Sequence, residues 1–197
     1  MILKSLFLFS VFIGISMFSQ NSAESKALKH PVQQNDSLFT LSERYGVSAD
    51  SIKRMNNINS NVIEVGQTLT IPAAVTSEER ELLAQLVHAE AKGESYAGKV
   101  AVATVVLNRV DHADYPDTVS EVIYQVTPSG HYAFSPVLDG AIHTVPDGEA
   151  RKAVNEAISA RGQGQQSLYF YNPATATSGW VATREQTIVI GNHVFAK

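Results

Sequence analysis

The stretch Leu82–Arg109, LLAQLVHAEAKGESYAGKVAVATVVLNR, constrains the fold more than any other part of the chain. Two helical periodicities meet in it across a short polar break. Upstream, Thr76 is a good N-cap, and Glu79 three residues later completes a capping box. Leu83, Leu86, Val87 and Glu90 then fall at i, i+3, i+4 and i+7 and share one helical face. Ala91-Lys92-Gly93 ends that helix, with Gly93 suited to a left-handed C′ position. A second helix is predicted over Tyr96–Val110. Val100, Val102, Ala103, Val105, Val106 and Leu107 make it apolar on most sides, as a central buried helix is.

Glu90 is therefore a carboxylate at the end of an apolar stripe. Partial burial and the negative end of the helix dipole both disfavour its charged form. A carboxyl that stays protonated near neutral pH is suited to general-acid catalysis. The competing structural reading makes Glu90 an exposed helix-end residue, or the ion-pair partner of Lys92 or Arg109.

A chain of 197 residues has room for one small and one medium domain. At 44% hydrophobic and 17% charged it has the composition of a globular protein. It has no cysteine, which excludes a disulfide framework, a thiolate metal site and a cysteine nucleophile. A net charge of −4 offers no steering toward nucleic acid or an anionic membrane surface, so neither partner is expected. An electroneutral sugar backbone needs no such steering.

Met1–Ala23 reads as a signal peptide. Lys4 supplies a minimal basic start, and Leu6–Phe18 is an apolar run interrupted by Ser10, Gly14 and Ser16. The run is shorter than the ~20 apolar residues of a membrane span, so no stable span is expected after processing. The alternative is an uncleaved N-terminal anchor. In either case the rest of the chain is expected outside the cytoplasmic membrane.

Residues 30–72 show a βααβ rhythm. A first strand is predicted at Pro31–Gln34, and Asp36 as the cap of a helix carrying Leu38, Leu41 and Tyr45 and ended by Gly46. Ser48 caps a second helix with Ile52 and Met55, and a last strand is predicted at Thr68–Ile71. The segment VQQNDSLFTLSERYGVSADSIKRMNNINSNVIEVGQTLTIP is similar to a LysM module along its whole length. One departure is Asn35 in place of the usual glycine; asparagine also tolerates positive φ. The resemblance implies binding of N-acetylglucosamine-containing polymers through Asp36, Ser37 and Leu38 and through Ser60, Asn61, Val62 and Ile63. The local alternatives are that Asp36 is a cap and Leu38 a core residue. Ala73–Thr76 reads as a short linker.

Further on, Thr118 with Glu121 reads as a capping box, and His131–Pro146 as a long surface loop. A helix is predicted over Glu149–Arg161. Strands are predicted at Leu168–Tyr171, Thr187–Ile190 and His193–Phe195, the last two joined by a Gly191-Asn192 turn.

The segment HAEAKGESYAGKVAVATVVLNRV at His88–Val110 also resembles the signature of cell-wall hydrolases typified by the spore-cortex-lytic transglycosylases. TVSEVIYQ, FSPVLDG, YFYNP and IGNHVFAK match the same family in order, over about 120 residues in all. In that family the first glutamate of E-A-[RK]-G-E is the catalytic acid, which here is Glu90. The resemblance also implies a lysozyme-like fold, and spore cortex or coat, with germination or sporulation, as the setting.

Glycoside cleavage usually takes two carboxylates. Glu94 lies across the Gly93 break, and Asp111, Asp139 and Glu185 have no spacing argument. Lytic transglycosylases, which the chain resembles, use one acid that then activates the C6 hydroxyl of the same sugar. Glu94, Phe134, Ser135, Tyr169, Tyr171 and Asn172 are candidate substrate contacts, with Trp180 beside them. Glu94 also reads as a turn-orienting residue, and Tyr169 and Tyr171 as core. His88 and Glu90 form H-x-E, with His131, His143 and His193 downstream. Side chains two apart on a helix point about 200° apart, so this spacing cannot chelate one ion, and no metal or other cofactor is expected.

These readings combine into an α+β protein: a small βααβ LysM domain at 30–72, and a lysozyme-like, mainly helical catalytic domain with a small antiparallel β element at 77–197. The expected function, which the resemblance implies, is that of an exported monomeric lytic transglycosylase cleaving the β-1,4 bond between N-acetylmuramic acid and N-acetylglucosamine in peptidoglycan glycan strands, secreted or cell wall-associated. The alternatives are an inverting muramidase-type hydrolase, a metal-dependent wall amidase and a non-catalytic wall-binding protein.

Overall fold

The computed structural model describes residues 27–163, 166–176 and 179–197. The signal-peptide reading of Met1–Ala23 lies outside them. Strand β1 (Leu28–Pro31) pairs antiparallel with β2 (Thr68–Ile71), Leu28 opposite Ile71. Helices α1 (Leu38–Tyr45) and α2 (Ala49–Met55) lie between them in sequence. Val32, Leu38, Leu41, Val47, Ile52, Leu69 and Ile71 bury into a core of their own.

Two expectations shift here. The first strand lies at Leu28–Pro31 rather than Pro31–Gln34. Beyond it the chain is already turning: Asp36 donates its N–H to the Gln33 carbonyl and Asn35 takes φ 73°. The cap of α1 is Ser37, not Asp36. Ser37 and Thr40 satisfy each other's backbone N–H groups, while the Asp36 carboxylate is occupied by the Gln33 N–H at 2.8 Å.

The second core is built around α4. Helices α3 (Ser77–Glu90) and α4 (Tyr96–Val110) have the predicted ends, and the Thr76–Glu79 capping box forms in full. Leu83, Leu86 and Val87 of α3 meet Val102, Val106 and Leu107 of α4, and Ala150, Val154 and Ala157 of a later helix close the cluster. Helix α5 (Val119–Ile123) follows. Its cap is half the predicted box: Thr118 Oγ1 accepts the Glu121 N–H, but the Glu121 carboxylate takes the Thr118 hydroxyl rather than its N–H.

The region expected as a loop, His131–Pro146, contains α6 (Ser135–Asp139) and a 3-10 turn at Ala141–His143. Pro136 lies in the first turn of α6, and Gly140 ends it at φ 82°. Five residues are too few to show a helical period, yet they bury Phe134 and Ile142 in the main core. Helix α7 (Gly148–Ser159), capped by Asp147, stops two residues short of the predicted end. Strands β3 (Tyr169–Tyr171), β4 (Gln186–Ile190) and β5 (His193–Ala196) form an antiparallel sheet in the order β3-β5-β4. Helical body and small sheets together make the fold α+β. Among the described residues no helix is long and apolar enough to cross a membrane.

The two cores meet through buried polar contacts. Arg161 binds Asp111 through Nη2 at 2.6 Å and donates from Nη1 to the Ala73 carbonyl at 2.8 Å. Ser51 on α2 donates to Asp111 at 3.1 Å, and Arg54 to Asn108 at 2.7 Å. The expected linker is therefore tied down at Ala73, which is itself buried.

Candidate active site

The capping box starts α3 at Ser77, and the register it sets brings Glu90 to the last turn. Leu83, Leu86 and Val87 on the same stripe are fully buried, while Glu90 stays partly open to solvent. Its pKa is raised to about 7. Burial is the main cause, opposed by a hydrogen bond from the Ser135 N–H. The Asp139 charge raises it further, and the Arg109 charge and the Ser135 hydroxyl lower it. The burial anticipated from sequence leads the list. The other groups come from α4 and α6, and their approach is not visible in any local spacing. Lys92 is exposed.

Sequence reasoning offered Arg109 only as an ion-pair partner of Glu90 in the structural reading, not as part of a site. Arg109 is buried at the end of α4, and its Nε donates to the Leu168 carbonyl at 2.8 Å. Its guanidinium carbon lies 5.3 Å from the Tyr115 ring centroid, 5.0 Å from that of Phe134 and 5.8 Å from that of Tyr169. Three aromatic faces thus hold a cation whose field reaches Glu90. A charged side chain at the end of a largely apolar helix was the available clue, since such a charge must be partnered when buried. Tyr115 donates its hydroxyl to that of Tyr169 at 3.0 Å. Burial and that bond push the Tyr115 hydroxyl up to about 12, against the opposing pull of Arg109, so it stays protonated.

The structure divides the other predicted residues. Ser135 is exposed and lies close enough to Glu90 to lower its pKa. Phe134 is buried under Arg109 and stacked on Phe170. Tyr169 is a wall of the Arg109 cage, and Tyr171, two residues on, lies on the same side of β3 by alternation. Asn172 shapes the turn after β3, its side-chain oxygen accepting the Ala174 N–H at 2.9 Å. Glu94 accepts from the Asn192 side chain at 2.9 Å and its N–H at 3.2 Å, so it grips the β4–β5 hairpin. A Cβ at Gly191 would overlap that carboxylate, and φ 59° there also favours glycine. Burial pulls the Glu94 pKa up, but the Asn192 bonds and His193 outweigh it and hold it low.

In the small N-terminal unit, Asp36 is flanked by His30 at 2.8 Å and Arg44 at 3.1 Å. Ser37 caps α1 and Leu38 is core. Asn61 accepts from Lys53 at 3.0 Å, Val62 is exposed, and Ile63 packs partly against the core. His88 faces Asp147 at 3.4 Å, and among the described residues no three His, Asp or Glu side chains converge on one point.

Among the described residues, cavities are recessed into the surface. One of about 860 Å³ lies between α2 and the helical body, beside Asn57, Asn108 and Gln166. One of about 300 Å³ lies between α4 and β4, beside Val100, Ile188 and Ile190. Glu90 lines neither. It meets solvent beside the exposed Ser135 and Asp139.

The model of the Cell Wall Hydrolase family matches residues 93–196, more than half of the chain. The chain belongs to this family. The matched span begins just after Glu90. A LysM domain model matches residues 30–72. The spore cortex-lytic enzyme of Oceanobacillus iheyensis is 44% identical over 130 residues, covering 66% of this chain and 45% of that protein. The catalytic domain of the Bacillus cereus SleB protein is 44% identical with a TM-score of 0.57, covering 64% of this chain and 94% of that one. The catalytic domain of the germination-specific lytic transglycosylase SleB from Bacillus anthracis is 42% identical, also with a TM-score of 0.57, covering 64% and 100%. The chain spans less than half the length of the spore cortex-lytic enzymes it matches.

Proposed function

We propose that the protein cleaves the β-1,4 bond between N-acetylmuramic acid and N-acetylglucosamine, as a lytic transglycosylase with Glu90 as its acid. The carrying observation is the Glu90 carboxyl, partly open to solvent yet with a pKa of about 7. Such a group is about half protonated at neutral pH and largely protonated below it, and can give its proton to a bridging sugar oxygen. As the bond from C1 to that oxygen breaks, the new carboxylate takes the proton of the C6 hydroxyl on the same muramoyl residue. That hydroxyl then closes on C1, giving a 1,6-anhydro end and restoring the acid. Ser135 and the Arg109 charge both lower the Glu90 pKa and so stabilise its ionised form between the two steps. A polymeric substrate suits an acid on an open surface rather than in a closed chamber. The SleB and spore cortex-lytic relatives favour spore cortex as the wall acted on.

In this reading residues 1–23 export the protein, 30–72 anchor it to wall glycan, and 77–197 carry the chemistry. It works as a monomer, secreted or held at the wall. Asp139, close enough to raise the Glu90 pKa, favours a second reading: a muramidase-type hydrolase with two carboxylates. Against it, Asp139 is already engaged by the Ala141 N–H at 2.9 Å. Mass spectrometry of muropeptides after digestion decides. Anhydro ends support the transglycosylase, reducing ends the hydrolase, and release of stem peptides alone overturns both.

A further inference from the structure

The ring contacts that begin at Arg109 continue outward to a pair of side chains with no task in the reaction described above. Tyr169 meets Trp180 edge to face, with centroids 5.3 Å apart. Arg184 lies over the Trp180 indole, its guanidinium carbon 4.2 Å from the centroid, and 5.9 Å from that of Tyr169. One 3-10 turn, Val181–Thr183, presents both side chains. It is braced by the Thr183 hydroxyl on the Trp180 carbonyl at 2.7 Å and by the Arg184 N–H on the Val181 carbonyl at 3.2 Å.

Trp180 nevertheless leaves 52% of its surface in water, and Arg184 is exposed. Among the described residues Arg184 has no carboxylate partner, and its guanidinium makes no hydrogen bond. A half-exposed indole is an apolar platform of the size of a sugar ring. A guanidinium stacked on it keeps its N–H edge free for a planar, bidentate anion. Tryptophan and arginine fixed on one short turn are also the side chains that most often dominate binding energy.

We propose that Trp180 and Arg184 recognise the substituted muramoyl residue: the indole packs on a pyranose ring of the strand held at Glu90, and the guanidinium binds a carboxylate carried by that residue's substituent. The inference rests on the glycan-cleavage reading and specifies its substrate as carboxylate-bearing glycan. The carboxylate has two sources, the lactyl group where the stem peptide has been removed and the stem peptide itself where it is present.

The test uses the full chain on four substrates: stem-bearing glycan, stem-stripped glycan, and each of these with its carboxylates converted to amides. Wild type is expected to cleave the carboxylate form of at least one pair roughly tenfold faster than its amide, the scale of one charge-assisted bidentate contact. The pair showing the preference identifies the source. Arg184→Gln should erase the preference, bringing each carboxylate substrate to the rate of its own amide in the same variant, and Arg184→Lys should restore part of it. Trp180→Ala should raise KM roughly tenfold on all four with kcat little changed. Circular dichroism should match wild type for the Arg184 variants, because the exposed side chain makes ring contacts alone and no hydrogen bond. Full preference in Arg184→Gln, or no preference in an active wild type, overturns the proposal. Failure of wild type to cleave any of the four overturns the glycan-cleavage reading instead.

Discussion

Arg161 grips Asp111 with two nitrogens, Nη2 at 2.6 Å and Nε at 3.1 Å, at the point where the small N-terminal unit meets the helical body. Both side chains are almost fully buried, at 4% and 0% exposed. Ser51 of α2 adds a third bond to the same carboxylate. Asp111→Ala would leave a buried guanidinium without its counter-charge. The expected loss is about 3–5 kcal/mol, read as a lower urea midpoint, while Glu90 and its neighbours are untouched. An unchanged midpoint would mean that the two units are not docked through this pair.

Glu90 itself should set a pH-dependent stability. Its folded pKa of about 7 lies above the ordinary carboxyl value. The folded protein therefore holds the proton more tightly than the unfolded chain. Its contribution is complete below the ordinary value and is lost as pH rises through about 7. Glu90→Gln removes that titration. At about pH 8 the variant should be more stable than wild type by a margin on the order of 1–3 kcal/mol, and the margin should shrink toward acid pH. Melting curves across this range check it; a margin that grows toward acid contradicts it.

Arg109 pulls the Glu90 pKa down, so its removal should move that pKa up. In Arg109→Gln the alkaline fall in kcat/KM should come at higher pH than in wild type. Overall stability should drop by about 2–4 kcal/mol, because the Leu168 carbonyl loses its donor and the aromatic cage its filling. An alkaline limb at the wild-type pH would separate Arg109 from the titration of Glu90.

The contrast between two helix ends explains what was legible. The α3–α4 pair carries a capping box and long apolar periods, so its ends and the placement of Glu90 follow from local pattern. Helix α6 has five residues and no period, so the approach of Ser135 and Asp139 to Glu90 depends on the tertiary fold. The Arg109 cage draws on Tyr115, Phe134 and Tyr169, which no spacing links. Asp36 and Ser37 are adjacent and both good caps; only the bond from Thr40 decides between them. The Gly191-Asn192 turn was legible, but the Glu94 carboxylate that grips it lies 98 residues away along the chain.

Glu94 should behave as a structural residue in the same motif as Glu90. Glu94→Ala frees Asn192 and should cost about 1 kcal/mol, with cleavage reduced only a few-fold. Because the Glu94 pKa is held low, its contribution is present at neutral pH and fades as pH falls through the acidic range. The wild-type and variant melting temperatures should therefore converge toward acid. A loss of activity comparable to that of a Glu90 variant would give Glu94 a part in the chemistry.

The most direct test of the central claim is glycan cleavage by wild type and Glu90→Gln, followed by the release of soluble muropeptides across pH. Wild-type kcat/KM should hold below neutrality and fall above about pH 7, as the acid loses its proton. The variant should fall by about a thousandfold or more at every pH, with its fold intact. A Glu90→Gln enzyme that keeps wild-type turnover, or a rate that rises through pH 7, would contradict the assignment of Glu90 as the proton donor.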